Sequence, residues 1–241
     1  MKGVRILLKQ VCVVQHNPIE TLGVAESVLK ENGFTHQCIR VFAGDKVPTS
    51  INDICGVIIL GGPMGVNEAD RFQFLNVEMN LIRAALKEDI PIFGVCLGSQ
   101  LLASVLGGRV YRSDYSEFGW FPLFWEDACT NDPVFDGLHG QSMVYLWHND
   151  IFDLPTGAVS LARTEATNCQ AFRYGKNAYG LLFHLEAMED EIEQMAVQME
   201  GDLITNHVNK EQLLHDTHQF LPASNEVGKS IFSRWVALMR K

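Results

Sequence analysis

The chain has 241 residues, a formal net charge of −10, a hydrophobic fraction of 47% and a charged fraction of 20%. That much apolar material excludes wholesale disorder, collagen and coiled coil, and the length suits one large domain or two small ones. A chain this acidic repels phosphates on average and has no Lys/Arg cluster, so no nucleic-acid partner is expected.

Behind Lys2 and Arg5, the first apolar stretch is interrupted at Lys9 and Gln10. No signal-peptide core is expected there, and no run is long enough to span a bilayer. Six cysteines, at 12, 38, 55, 96, 129 and 169, include no Cys-x-x-Cys pair. Such scatter in a chain too long to need stapling predicts reduced thiols, and with them a soluble cytoplasmic protein without a membrane partner.

Residues 11–15 (VCVVQ) read as a strand ended by His16-Asn17-Pro18. Residues 20–32 place Leu22, Ala25, Val28 and Leu29 on one helical face, and Gly33 suits the left-handed position after a helix. Residues 35–42 read as a second strand. Residues 56–60 (GVIIL) are apolar throughout, as in a parallel strand covered on both faces. After the loop 61–70, Phe72, Leu75, Met79, Ile82 and Leu86 step at helical spacing, and Pro91 precedes the short buried strand 92–95.

This rhythm predicts right-handed crossovers onto a mostly parallel sheet. From Arg109 to Glu186 come shorter strand candidates at 143–147, 159–163, 171–174 and 179–183. From about Met188 the pattern is helical, closing with the stripe Ile231, Trp235 and Leu238, read as packing. The expected organisation is one compact α/β domain, residues 1–190, with a helical extension, 191–241, packed on it.

The segment with most chemical content is Gly94-Val95-Cys96-Leu97-Gly98, an apolar strand running straight into the helical pattern Leu101, Leu102, Val105. This is a nucleophile-elbow arrangement with cysteine as the nucleophile. A sharp strand-to-helix turn needs flanking residues nearly without side chain, and Gly94 and Gly98 meet that need. The thiol then sits at a helix N-terminus, where dipole and free N–H groups favour thiolate, and the Leu97 N–H can donate to an oxyanion. The plainer reading, a buried small hydrophobe, is kept for the other five cysteines.

A thiol nucleophile acting on an amide needs a general acid. His184 follows the strand candidate 179–183, and alternation puts Glu186 on its side, where a carboxylate can orient the ring. A satisfied strand-end histidine is the competing reading. Gly61-Gly62-Pro63-Met64-Gly65 follows the buried strand 56–60. It lacks the Lys-Ser/Thr and spacing of a nucleotide loop, so it reads as a loop turning N–H groups toward Cys96, with Gly62 the second oxyanion donor. His215 and His218 lie one helical turn apart and read as a solvated face, with no metal site expected.

Gly94–Gln100 (GVCLGSQ), Gly61-Gly62-Pro63 and Phe183-His184-Leu185-Glu186 together resemble the class I (triad) glutamine amidotransferase domain. The resemblance is strongest to stand-alone members similar to the glutaminase half of GMP synthase. Glu117-Phe118-Gly119-Trp120, Trp147-His148-Asn149-Asp150 and Leu154-Pro155 agree with it.

The resemblance implies a flavodoxin-like three-layer α/β sandwich and hydrolysis of the side-chain amide of L-glutamine to glutamate and ammonia. Cys96 would form a γ-glutamyl thioester, His184 would move the proton, Glu186 would hold the ring, Gly62 and Leu97 would bind the oxyanion, and Gln100 would help hold the substrate. Residues 117–120 would line the glutamine pocket. His148 and Asp150 match a segment at the active-site rim, or form a loop held by side-chain hydrogen bonds. Neither metal nor organic cofactor is implied.

Position 185 is Leu where many members have Pro, and no Ser-Gly-Gly-type ATP pyrophosphatase loop is present, so the ammonia would be passed to a separate synthetase chain or simply released. Two alternatives stay open: a γ-glutamyl peptidase acting on glutathione-like conjugates with the same triad, and a catalytically silent regulatory protein.

Overall fold

Strand β1 (Gln10–Gln15) sends Val11 and Val13 to one face and Cys12 and Val14 to the other, and both faces are buried. Strand β3 (Ile54–Ile59) repeats the pattern, with Ile58 facing one way and Val57 and Ile59 the other. β4 (Ile92–Val95) does so again with Phe93 and Val95 against Ile92. Strands buried on both faces need a helix layer on each side. The computed structural model describes residues 10–239, so Lys2, Arg5 and Lys9 lie outside the described residues.

One layer holds α1 (Val24–Glu31) and the C-terminal half of α6 (Lys210–Leu238), whose Ile231, Phe232, Trp235 and Val236 are buried against the first face. Trp235 meets Phe93 edge-on at 5.6 Å. The opposite layer holds α2 (Gln73–Lys87) and α3 (Leu97–Val105). Gly33, at φ +77, ends α1 in the left-handed region as expected. The second strand is the shorter β2 (His36–Arg40), followed by a 3₁₀ turn at Val41–Ala43.

The remaining strands are β5 (Val110–Trp125), β6 (Gln141–Phe152), β7 (Ala158–Arg163), β8 (Ala171–Tyr174) and β9 (Ala178–Leu181). Among the described residues the sheet order is β2-β1-β3-β4-β9-β8-β7-β5-β6. Pairing is parallel from β2 to β9 and antiparallel from β9 to β6. The sheet is therefore mixed, which corrects the expectation of a mostly parallel one. The physical reason lies in the links: residues 164–170 and 175–177 are too short for a parallel crossover of roughly a dozen residues or more.

β5 is the longest strand and absent from the sequence reading. Arg112, Ser113, Asp114, Ser116 and Glu117 break its apolar alternation, and its register with β6 shifts between Arg112 and Glu117. The sheet curls so far that β6, its last strand, returns to the chain after β9. There the His184 N–H donates to the Tyr145 carbonyl at 2.8 Å. Helices α4 (Glu189–Gln198) and α5 (Glu200–Thr205), with the first half of α6, cover β5 and β6 through Ile192, Met195, Leu203, Leu213 and Leu221. Among the described residues no helix is long and apolar enough to cross a membrane.

Candidate active site

Cys96 alone separates β4 from α3, at φ +49 and ψ −108, a conformation side chains disfavour. Its surroundings impose it. The Cys96 N–H donates to the Leu181 carbonyl at 2.7 Å, and its own carbonyl accepts from the Ser99 hydroxyl at 2.7 Å and the Gln100 N–H at 3.1 Å. The glycines are required by close backbone approach. A Cβ on Gly94 would stand 2.5 Å from the Gly98 carbonyl oxygen, and one on Gly98 would stand 2.0 Å from that of Ile59. The thiol is 7% exposed and lies 3.8 Å from the Trp147 carbonyl of β6.

His184 and Glu186 face each other, His184 Nδ1 to Glu186 Oε1, at 2.7 Å, both almost fully buried. A carboxylate accepts, so Nδ1 carries the proton and Nε2 is turned away from Glu186. Nε2 has no hydrogen-bond partner of good geometry, while Cys96 is near enough to act on the ring's charge. Burial pulls the imidazole's pKa down. The charge of Glu186, the hydrogen bond to it and the nearby Cys96 sulfur outweigh it and hold the ring well above its ordinary value.

Three elements, α1, β6 and α6, clamp the segment between them. The Glu186 carbonyl accepts from the Val24 N–H at 2.9 Å, and Gly23 lies against it. β6 holds the His184 N–H, and α6 crosses Leu185 so closely that a Cβ on Gly228 would be 2.4 Å from the Leu185 carbonyl oxygen. Leu185 is buried at 1%, so its backbone is fixed by contacts.

Cys96, His184, Gly62 and Gln100 line one cavity of about 470 Å³. Glu186 sits behind His184, and Leu97, the first residue of α3, has an N–H with no intrahelical acceptor. Gly62 and Leu97 are adjacent: a Cβ on Gly62 would be 3.1 Å from Leu97 Cδ2. Gln100 donates through Nε2 to the Asp150 carbonyl at 3.0 Å.

Of residues 117–120, only Phe118 reaches the cavity wall. Glu117 is buried and accepts at 2.7 Å from both the Thr167 hydroxyl and Gln170 Nε2, with His148 Nε2 at 3.5 Å. Trp120 turns toward α6 and donates to the Thr217 hydroxyl at 3.0 Å. Alternation along β5 puts Glu117 on the face opposite Phe118 and Trp120, and Trp120 lies two residues further along the strand than Phe118. His148 and Asp150 both line the cavity. Burial and the nearby charge of His184 pull the His148 pKa down to about 3, so its ring is neutral.

None of the six cysteines is in a disulfide. Burial pushes Cys12, Cys129 and Cys169 up to about 12, whereas Cys38 and Cys55 are only half-buried. His218 meets Glu189 at 2.6 Å on an exposed surface.

Several residues around the site escaped the sequence reading. His16, the first residue after β1, bonds the Gly61 carbonyl and Glu78 of α2. Glu20 lines the cavity between Gly61 and His184, its carboxyl raised by burial against the lowering effect of the His184 charge. Thr21 donates through its hydroxyl to Glu191 of α4. Met195, Met199 and Asp202 complete the wall. The available signal was position: residues just beyond the carboxyl ends of parallel strands border the ligand crevice.

The family model of class-I glutamine amidotransferases matches residues 25–200. The glutamine amidotransferase-like protein YfeJ of Salmonella typhimurium, whose assignment is itself provisional, is 28% identical over 193 residues, 79% of this chain and 81% of that protein. The GMP synthase of Caldicellulosiruptor saccharolyticus is 33% identical over 147 residues, 59% of this chain but only 26% of that enzyme. The chain thus spans about a quarter of the length of the full GMP synthases it matches. A crystal structure of a glutamine amidotransferase from Thermotoga maritima superposes with a TM-score of 0.86 at 31% identity, covering 95% of this chain and 98% of that one. With the flavodoxin-like architecture and the matched residues in place, the chain belongs to the class-I glutamine amidotransferase family.

Proposed function

We propose that the protein hydrolyses the side-chain amide of L-glutamine through a γ-glutamyl thioester on Cys96. The observation that carries this reading is a thiol held at φ +49 on a helix N-terminus, in one cavity with a histidine whose far nitrogen is fixed by Glu186 at 2.7 Å. In this mechanism the Cys96 proton passes to His184 and the sulfur attacks the γ-carbonyl. The Gly62 and Leu97 N–H groups take the charge that develops on oxygen. His184 returns the proton to the departing nitrogen, releasing ammonia, then deprotonates water that cleaves the thioester to glutamate. Gln100 helps hold the substrate.

The same reading takes residues 1–190 as the catalytic domain and 191–241 as a helical extension packed on it. In this reading the ammonia passes to a synthetase or is released. Six cysteines outside any disulfide suit the cytoplasm.

A second reading keeps the triad and changes the leaving group to an amino acid or peptide, making the protein a γ-glutamyl peptidase. It is favoured by the apolar side of the cavity, where Phe118, Trp147, Met195 and Met199 offer more than a departing ammonia needs.

The test is glutamate release from L-glutamine and from a γ-glutamyl dipeptide by wild type and Cys96→Ala. Release from glutamine that vanishes in Cys96→Ala supports the first reading, and preference for the dipeptide supports the second. No turnover of either, with no labelling of Cys96 by a glutamine-analogue alkylator, leaves a silent regulatory protein.

A further inference from the structure

His16 follows β1 directly, and β1 pairs with β3, so residues beyond their carboxyl ends lie side by side. The His16 ring is buried, with Nδ1 2.9 Å from the Gly61 carbonyl oxygen and Nε2 3.0 Å from Glu78 Oε2. A carbonyl oxygen can only accept, so Nδ1 carries a hydrogen whatever the state of the His16–Glu78 pair. In a trans peptide the C=O of one residue and the N–H of the next point in opposite directions. Tying the Gly61 oxygen to His16 therefore aims the Gly62 N–H away from the His16 ring, and Gly62 is one of the residues lining the cavity.

Gly62 itself is sandwiched. A Cβ there would be 2.6 Å from His16 Cβ and 3.1 Å from Leu97 Cδ2. The peptide has little room to tilt, and its remaining freedom, a flip of the Gly61–Gly62 plane, is what the His16 bond opposes. Glu78, with no exposed side-chain surface, sits on the rigid helix α2 and fixes the ring from behind. A buried pair of this kind adds little net stability after desolvation, so a directional role accounts better for it.

We propose that His16, braced by Glu78, is a positioning residue that fixes the Gly61–Gly62 peptide with its N–H toward the reacting carbonyl. The proposal rests on the reading of Cys96 as nucleophile and Gly62 as oxyanion donor. His16 touches no reacting atom. Its loss acts on charge developing in the transition state, and therefore on kcat rather than KM.

The experiment compares wild type, Cys96→Ala, His16→Leu, His16→Asn and His16→Gln in the full chain. It measures glutamate release from L-glutamine and a γ-glutamyl dipeptide, alkylation of Cys96 by iodoacetamide, and thermal melting. His16→Leu is expected to lower kcat about 100-fold with KM nearly unchanged. Alkylation, which forms no oxyanion, stays within about twofold of wild type. Asn carries its amide nitrogen where Nδ1 stood, so His16→Asn recovers most of kcat. Gln reaches toward Glu78 instead and does not.

Wild-type kcat in His16→Leu beside an inactive Cys96→Ala overturns the role of His16 alone. So does a parallel loss of kcat and alkylation. If His16→Leu fails to fold, equal kcat in His16→Asn and His16→Gln overturns it. Absence of turnover in wild type, or full turnover in Cys96→Ala, overturns the reading of the site and this proposal together.

Discussion

His184 Nδ1 lies 2.7 Å from Glu186 Oε1, and neither side chain has more than a few per cent of its surface exposed. Replacing Glu186 with Gln keeps the shape but removes the charge that orients and stabilises the protonated ring. The expected loss in kcat is about a thousandfold, with KM little changed. Steady-state kinetics check it, and a loss below tenfold would remove Glu186 from the mechanism.

The backbone of Cys96 carries strain of about 1–3 kcal/mol at φ +49 and ψ −108. Cys96→Ala and Cys96→Gly both lack the thiol, but only glycine adopts that conformation freely. Cys96→Gly should therefore exceed Cys96→Ala in unfolding free energy by about 1 kcal/mol. Denaturant melts of the two inactive variants decide the matter, and equal stabilities would deny the strain.

For His184 and His16, burial lowers the pKa but the nearby carboxylates and hydrogen bonds win, and both end above the ordinary 6.5. Above pH 6.5 the native state thus binds more protons than the unfolded chain. Their contribution is complete below that pH and is lost as pH rises through the raised values. His148 runs the other way: pulled down to about 3, it contributes stability above 6.5 that is lost as pH falls toward 3. In melting temperature against pH, Glu186→Gln should flatten the alkaline limb and His148→Gln the acid limb. Unaltered limbs would refute these protonation states.

Gly228 lies outside the cavity yet presses on Leu185, between His184 and Glu186. A Cβ there would be 2.4 Å from the Leu185 oxygen and 3.2 Å from Leu185 Cβ. Gly228→Ala is expected to reduce unfolding free energy by about 1–3 kcal/mol and to lower kcat in the folded enzyme. Circular dichroism melts with kinetics on the same sample provide the measurement. Unchanged kcat would show that α6 does not hold the catalytic segment.

What the sequence revealed was local. The elbow is written in five consecutive residues, and His184 and Glu186 are separated by one. What it hid depends on strand order and curl. Nothing near His16 announces that β1 and β3 end beside each other. Glu78 reads as an ordinary polar position on α2, although it is completely buried. The return of β6 to His184 turns on a sheet whose second half is antiparallel, and the polar stretch in β5 concealed that half. Phe118 and Trp120 share one face of β5 and looked equivalent, but only Phe118 borders the cavity, while Trp120, two residues further along, meets α6.

The wall of Phe118, Trp147, Met195 and Met199 comes from β5, β6 and the segment of α4 running into α5, and neither strand pairs with β4. Mutation can therefore recontour the mouth of the crevice while Cys96, His184 and Glu186 keep their places. Chains built on this frame can diverge in diet without divergence in chemistry, and an identical triad is no guide to which amine departs.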